Sequence, residues 1–336
     1  MNAVAEPLGG GEGGVGDRPA TAAAPAAAPS AVCVAAQERP APPRWLLLSA
    51  FAAVYLIWGS TYLAIRFAIE TMPPFLMAAV RFLIAGGALY GWARWRSQAR
   101  PARVEWRSAL IVGGLLLFAG NGVVVWSELR IDSGLAALLV ATVPLWIVAL
   151  DALRPGGVRP GWRVWAGVAG GLAGIALLVG PAELAGAERA DLLGILGVLF
   201  ASLAWAVGSL YSRHAPLPAS PALGTGMEML AGGLLLALFS LALGEPAGFD
   251  PAAVSATSAL ALAYLVFVGA LIGFSAYVWL LRVAPAAKVA TYAYVNPVVA
   301  LLLGWALAGE ELDARTLIAA AVILGSVFLI VSYRPR

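Results

Sequence analysis

Ten stretches of this chain are apolar for close to the length of a membrane-crossing helix, and that repetition leaves few folds open. They lie near residues 45–65, 74–93, 108–126, 134–153 and 162–180, then 192–211, 222–243, 258–281, 289–307 and 316–333. A helix rising 1.5 Å per residue needs roughly 20 residues to cross about 30 Å of hydrocarbon. Short polar connections separate the stretches. The chain is 61% hydrophobic and 12% charged, against about 25% charged in soluble domains. So much apolar surface cannot be hidden in one soluble core, and the lipid bilayer is the predicted solvent. The predicted fold class is an all-α integral membrane protein with ten transmembrane helices.

Half of the chain resembles the other half. Gly120-Asn121-Gly122-Val123-Val124-Val125-Trp126 overlays Gly273-Phe274-Ser275-Ala276-Tyr277-Val278-Trp279 at an offset of 153 residues, and the same offset carries Pro144 onto Pro297. With small gaps, Gly59-Ser60-Thr61-Tyr62 resembles Gly208-Ser209-Leu210-Tyr211, Gly86-Gly87 resembles Gly232-Gly233, and Gly174 resembles Gly325. Matched landmarks in a fixed order signal an internal repeat. Each half holds five runs, an odd number, so the second half enters the membrane upside down relative to the first. The predicted organisation is a disordered cytoplasmic tail at 1–43, a first repeat at 44–181 and an inverted second repeat at 190–334. Inverted repeats are a design of transporters that bind substrate near the membrane midplane.

Charge placement orients the chain. If the tail is cytoplasmic, fourteen Lys and Arg residues face inward, among them Arg94, Arg96, Arg100, Arg103, Arg107, Arg154, Arg159, Lys288, Arg334 and Arg336, against Arg66, Arg130, Arg189 and Arg315 outside. That is the positive-inside bias, and it predicts cytoplasmic termini. Glu183, Glu188, Asp191, Glu245, Asp250, Glu310, Glu311 and Asp313 fall outside. Residues 1–43 are rich in Ala, Pro and Gly, as a disordered tail is, and lack the basic start and continuous apolar core of a signal peptide. The net charge of +3 is scattered over loops, so nucleic acid is not an expected partner. One cysteine, Cys33, cannot form an intrachain disulfide. The single histidine, His214, has no second ligand beside it, so no metal and no cofactor is expected.

The site residues follow from the repeat. Pro144 and Pro297 each fall about ten residues into a run, roughly 15 Å deep. A helix-interior proline frees the carbonyl four residues earlier, here Val140 and Ala293. Matching helix breaks at the midplane of two inverted halves point to a binding site, although kinks compensated by neighbours are common in membrane helices. Around Pro297 gather Thr291, Tyr292, Tyr294 and Asn296, with Tyr292 and Asn296 on one helix face. Trp58, Ser60 and Tyr62 in the first run and Asn121 in the third add comparable groups. The candidate substrate-binding residues are Trp58, Tyr62, Asn121, Tyr292 and Asn296; each taken alone could equally be interhelical glue. Two charges fall inside runs, Arg81 and Glu228, on opposite levels roughly 10 Å apart. Such charges face the bundle interior or water. Glu228 reads first as a structural carboxylate wetted from the cytoplasm, with proton coupling as the alternative. Gly167, Gly170, Gly171 and Gly174 give small-residue spacing for a close helix contact within the bundle or between subunits, so monomer and homodimer both stay open. Trp92, Trp95, Trp106, Trp162 and Trp165 read as interfacial anchors.

The order Ile57-Trp58-Gly59-Ser60-Thr61-Tyr62, Arg66, Pro73-Pro74, Arg81-Phe82, Gly120-Asn121-Gly122 and Ala141-Thr142-Val143-Pro144 resembles the EamA family of the drug/metabolite transporter superfamily. So does Ala290-Thr291-Tyr292-Ala293-Tyr294-Val295-Asn296-Pro297, followed by Gly304 and Gly309-Glu310. The resemblance covers all but the tail. It implies a ten-helix bacterial inner-membrane exporter of amino acids, related metabolites or drugs, with a central cavity built from runs one to four and six to nine. The alternative on the same fold is an importer or exchanger of phosphorylated or nucleotide-linked sugars, for which a single intramembrane cation is few. A membrane-embedded enzyme would need a cluster of catalytic groups that one His, one tail Cys and one intramembrane Glu do not supply. A scaffold would leave the repeat unexplained. The partners expected are a small-molecule substrate and the bilayer.

Overall fold

The computed structural model describes residues 43–97, 100–153, 161–184, 189–283 and 292–331. The tail up to residue 42, Arg154, Arg159, Lys288, Thr291, Arg334, Arg336 and Glu188 lie outside the described residues, as do the side chains of Glu183, Asp191 and Tyr294. Every regular element among the described residues is helical. In chain order they are α1 (Arg44–Ile69), α2 (Pro74–Ser97), α3 (Arg103–Gly113), a π-helical stretch (Gly114–Gly122), α4 (Val123–Ser127), α5 (Ser133–Val140), α6 (Val143–Leu153) and α7 (Trp162–Leu184). There follow α8 (Arg189–Ser212), α9 (Pro221–Ala242), α10 (Ala256–Tyr264), a second π-helical stretch (Leu265–Ile272), α11 (Gly273–Val283), α12 (Tyr292–Ala308) and α13 (Ala314–Val331). Two short 3₁₀ turns, Glu245–Gly248 and Pro251–Ala253, lie between α9 and α10.

Among the described residues, seven stretches are long and apolar enough to cross a membrane: Arg44–Ile69, Pro74–Arg96, Arg103–Ser127, Ser133–Leu153, Leu192–Ser212, Pro221–Ala242 and Ala256–Tyr277. Trp162–Leu177, Val295–Ala308 and Ala314–Leu329 are shorter apolar helices. Local chemistry starts several of them. Pro74 opens α2, where a missing N–H costs nothing. Ser220 accepts from Leu223 N and Ser255 from Ser258 N, capping α9 and α10.

The helices pack across the two halves of the chain. α2 lies along α9 and α7 along α13; α1 meets α12 as α8 meets α5 and α6; α8 meets the first π stretch as α1 meets the second. Exchanging the first five runs for the second five maps these particular contacts onto one another. Small residues permit the closeness. A Cβ on Gly86 of α2 would stand 2.7 Å from Met229 Cβ, and one on Gly226 of α9 would stand 2.7 Å from Tyr90 N, so the α2–α9 seam depends on both glycines. Gly170 and Gly174 of α7 are taken up in the same way, by Ser326 and Ile323 of α13, and Gly171 by Leu145. Large apolar side chains meanwhile point outward, Leu56, Leu153, Phe200, Leu260 and Trp305 among them. Water would penalise that surface and lipid does not. Trp92, Trp95, Trp106, Trp162 and Trp165 are exposed near the arginine-rich ends of their helices, as interfacial anchors are.

Both halves carry a π-helical stretch next to the matched Gly–Trp segment, ending at Gly122 in one and at Ile272, just before Gly273, in the other. The two prolines behave differently. Ala141 and Thr142 break the helix just before Pro144, and Leu139 O there accepts from Thr142 N at 3.1 Å, Thr142 Oγ1 at 2.6 Å and Ser202 Oγ at 3.4 Å. Tyr292–Ala308 runs as one helix through Pro297.

Candidate functional site

At the junction of the halves, Trp58 of α1 is enclosed by aromatic rings of the second half. Its ring centroid lies 5.0 Å from Tyr277 and 6.4 Å from Phe274 of α11, and 5.1 Å from Tyr292 of α12, which it meets edge-on. Tyr277 and Tyr292 also meet edge-on at 5.9 Å. The repeat glycine makes room: a Cβ on Gly273 would stand 2.8 Å from Trp58 Nε1. Edge-on and tilted pairs of this kind contribute about 0.5–1.5 kcal/mol each beyond their buried area.

Asn296 adjoins this cluster. It is buried, and its amide nitrogen faces the carbonyls of Tyr55 at 3.3 Å and Tyr292 at 3.1 Å. It therefore ties α1 to α12. Ser60 Oγ donates to Ile57 O at 2.8 Å and pairs with Tyr264 OH at 2.7 Å, tying α1 to α10. Asn121 belongs to a different neighbourhood, the first π stretch, whose Gly120 faces Trp205 and Ala201 of α8; its Oδ1 is buried without a hydrogen-bond partner. Of the five predicted contacts, the structure thus brings Trp58, Tyr292 and Asn296 together and leaves Asn121 apart.

Tyr62 lies one turn beyond Trp58, toward the Ile69 end of α1, and joins a group of charges. Arg81 is 6% exposed, with Nε and Nη1 lacking any acceptor. Its guanidinium carbon stands 5.0 Å from the Phe82 ring, and Nη2 lies 3.7 Å from where a Cβ on Gly269 would be. Glu128, the residue after α4, is 3% exposed, and neither carboxylate oxygen has a donor. Tyr62, Arg81 and Glu128 are close enough to feel one another's charge, yet no ion pair joins Arg81 to Glu128. Glu228 sits elsewhere, half-buried on α9, where its carbonyl would collide with a Cβ on Gly113 of α3. Sequence reasoning missed Glu128 because hydropathy ends the third run at Trp126 and hands the next residues to a loop.

Beyond these charges the same end of the bundle is closed by two Gly–Glu turns. Gly309, with φ 67°, ends α12 and turns Glu310 inward. Glu310 Oε1 accepts from Ser133 N at 2.8 Å and Ser133 Oγ at 2.6 Å, and Oε2 from Gly134 N at 3.0 Å, so it caps the start of α5. Arg66 Nη1 reaches Asp132 at 3.2 Å, and its Nε stands 3.8 Å from Glu310. Gly244, with φ 74°, likewise turns Glu245 toward α2, where it accepts from Phe75 N at 3.3 Å, Leu76 N at 2.8 Å and Ser240 Oγ at 2.7 Å. Among the described residues no three His, Cys, Asp or Glu side chains gather as a metal ion requires.

Comparison with known proteins agrees with this architecture. The model of the EamA-like transporter family matches residues 44–180 and again 192–332. The uncharacterized inner membrane transporter YedA of Escherichia coli (strain K12) is 40% identical over 285 residues, 84% of this chain and 90% of that protein. A probable amino-acid metabolite efflux pump of Salmonella typhimurium is 27% identical over 294 residues, 84% of this chain and 94% of the pump. One solved crystal structure, at 24% identity, superposes with a TM-score of 0.59 over 85% of this chain and 97% of its own, which shows the shared fold.

Proposed function

The chain belongs to the EamA-like transporter family, and from that premise we propose that it is a secondary transporter exporting small organic solutes, namely amino acids, related metabolites or drugs, across the bacterial inner membrane. In this reading ten helices form two inverted repeats, both termini are cytoplasmic, and the Glu310 end faces outward. Solute binds between the halves and access alternates. Trp58 and Tyr292 hold its apolar part, while Asn296 offers a polar contact. The observation that carries the reading is the interface itself: Trp58 from the first half is enclosed by Phe274, Tyr277 and Tyr292 from the second. A ligand gripped there touches both halves, so movement of one against the other changes its access. The names of the relatives, an inner membrane transporter and an efflux pump, support it.

The test is solute counterflow in proteoliposomes with a chemically diverse panel of amino acids, amines, organic acids and drugs, with and without an imposed pH gradient. Trp58→Ala and Asn296→Ala are expected to lower flux of the transported solute at least about ten-fold while the protein stays monodisperse. Flux untouched by both substitutions would remove the site from this interface. Glu228→Gln separates the coupling modes: gradient-driven flux lost with exchange retained marks proton antiport, and unchanged flux marks facilitated export.

A further inference from the structure

We infer that Tyr62, Arg81 and Glu128 form a subsite for a zwitterionic group, the Arg81 guanidinium taking a carboxylate and the Glu128 carboxylate an ammonium, as in an α-amino acid. The inference rests on the exporter reading and assigns the charged end of the solute to residues at the Glu310 side of the aromatic cluster.

Three observations support it. First, opposite charges are buried with their hydrogen-bonding atoms unused: Nε and Nη1 of Arg81, and both carboxylate oxygens of Glu128. Such atoms nearly always find a partner in a finished structure, and ionised groups are the least tolerant of going without one. Second, the two charges are neighbours yet stay apart. Arg81 comes from α2, Glu128 from the end of α4 and Tyr62 from α1, and each feels the others. A pair serving the fold alone gains most by closing into a two-pronged guanidinium–carboxylate contact, and this one remains open. Around them Glu128 also feels Glu310 and Arg66, but those two are engaged with each other, with Asp132 and with the start of α5. Third, Tyr62 follows Trp58 by four residues on α1 and shares its face, so the charged subsite adjoins the aromatic cluster. A guanidinium and a carboxylate that are neighbours and both unpaired complement a ligand of both signs and leave one charge unmatched against a simple amine or a simple acid.

The experiment is isothermal titration calorimetry on the purified full-length protein, first with the twenty common amino acids. Each that binds is then compared with its decarboxylated amine and its deaminated acid; leucine, isoamylamine and 4-methylpentanoate form one such series. Wild type is expected to bind the amino acid at least about ten-fold more tightly than either counterpart. Arg81→Gln should lose discrimination against the amine alone, and Glu128→Gln against the acid alone. If either variant fails to fold, Arg81→Lys and Glu128→Asp keep the charge and should weaken binding while retaining discrimination. The inference is overturned if wild type binds the amine or the acid as tightly as the amino acid, if the variants weaken all three probes in parallel, or if none of the twenty binds. Those outcomes leave the exporter reading intact when the diverse panel yields a transported solute; a panel without one removes the exporter reading while the calorimetry still decides the subsite.

Discussion

Two regions one helical turn apart on α1 are built on opposite terms. Around Trp58, four rings pack at 5.0–6.4 Å with a glycine opposite the indole. Around Tyr62, a guanidinium and a carboxylate are buried without partners for their donors and acceptors. The first region stabilises the meeting of the halves by itself. In the second, neighbouring charges of opposite sign act on each other only at a distance, which is weaker than contact. The contrast separates a surface whose rings already meet from one whose charges wait for a partner.

The largest effect expected from breaking this contrast comes from removing one charge. Arg81→Met leaves Glu128 buried beside Glu310 with one of its two neighbouring cations gone, and should cost about 3–5 kcal/mol; the double variant with Glu128→Met should recover most of that, read as melting temperature in detergent. A double variant as unstable as the single one would show that the charges do not offset each other. Next, Gly273→Ala drives a methyl into Trp58 and should cost about 1–3 kcal/mol, with a shift in near-ultraviolet circular dichroism that Gly244→Ala, far from the rings, does not share. Trp58→Phe, which keeps a ring in place, should cost about 0.5–1.5 kcal/mol. The smallest effect lies outside both regions. Asp313 accepts from Thr316 N at 2.7 Å at the start of α13, and hydrogen bonds from the Thr316 side chain and backbone hold its carboxyl below the ordinary range. A depressed carboxyl stabilises above its unfolded value and loses that stabilisation as pH falls. Asn caps a helix as well as Asp, so the wild-type advantage over Asp313→Asn is that of the charge at the helix start, about 0.3–1 kcal/mol at neutral pH, and should therefore vanish as pH drops through the carboxyl range.

Much of this was legible in the sequence, and the exceptions have physical causes. Apolar length alone locates the helices, because a lipid-facing helix must be apolar along its whole run. The Gly–Trp repeat lies beside the π-helical stretch of each half, overlapping it at Gly120–Gly122 and following it at Gly273, but residue matching carries no information about hydrogen-bond register. Trp58, Tyr292 and Asn296 were found as a cluster because three polar or aromatic groups stand out among aliphatic neighbours. Pro144 and Pro297 looked equivalent, yet only the first follows a break. What distinguishes it is a threonine hydroxyl and a serine from α8 converging on Leu139 O, and the serine contact is made by tertiary packing 63 residues away. Glu128 was invisible for a related reason. Hydropathy judges where an apolar run ends, and a charge two residues past that end counts as loop until the neighbouring helices are seen to bury it.

The two Gly–Glu turns have a consequence for cooperativity. Both carboxylates belong to the second half of the chain and both capped helices, α2 and α5, to the first. Separating the halves at that end therefore cannot proceed one contact at a time, since the same displacement that frees α2 also frees α5. Carboxylates at helix starts contribute about 0.3–1 kcal/mol each, and about 1.4 kcal/mol is a factor of ten in population. Two such caps released together make opening a threshold event rather than a gradual one. A closed end then stays closed against thermal fluctuation and gives way to a bias only slightly larger than the sum of both.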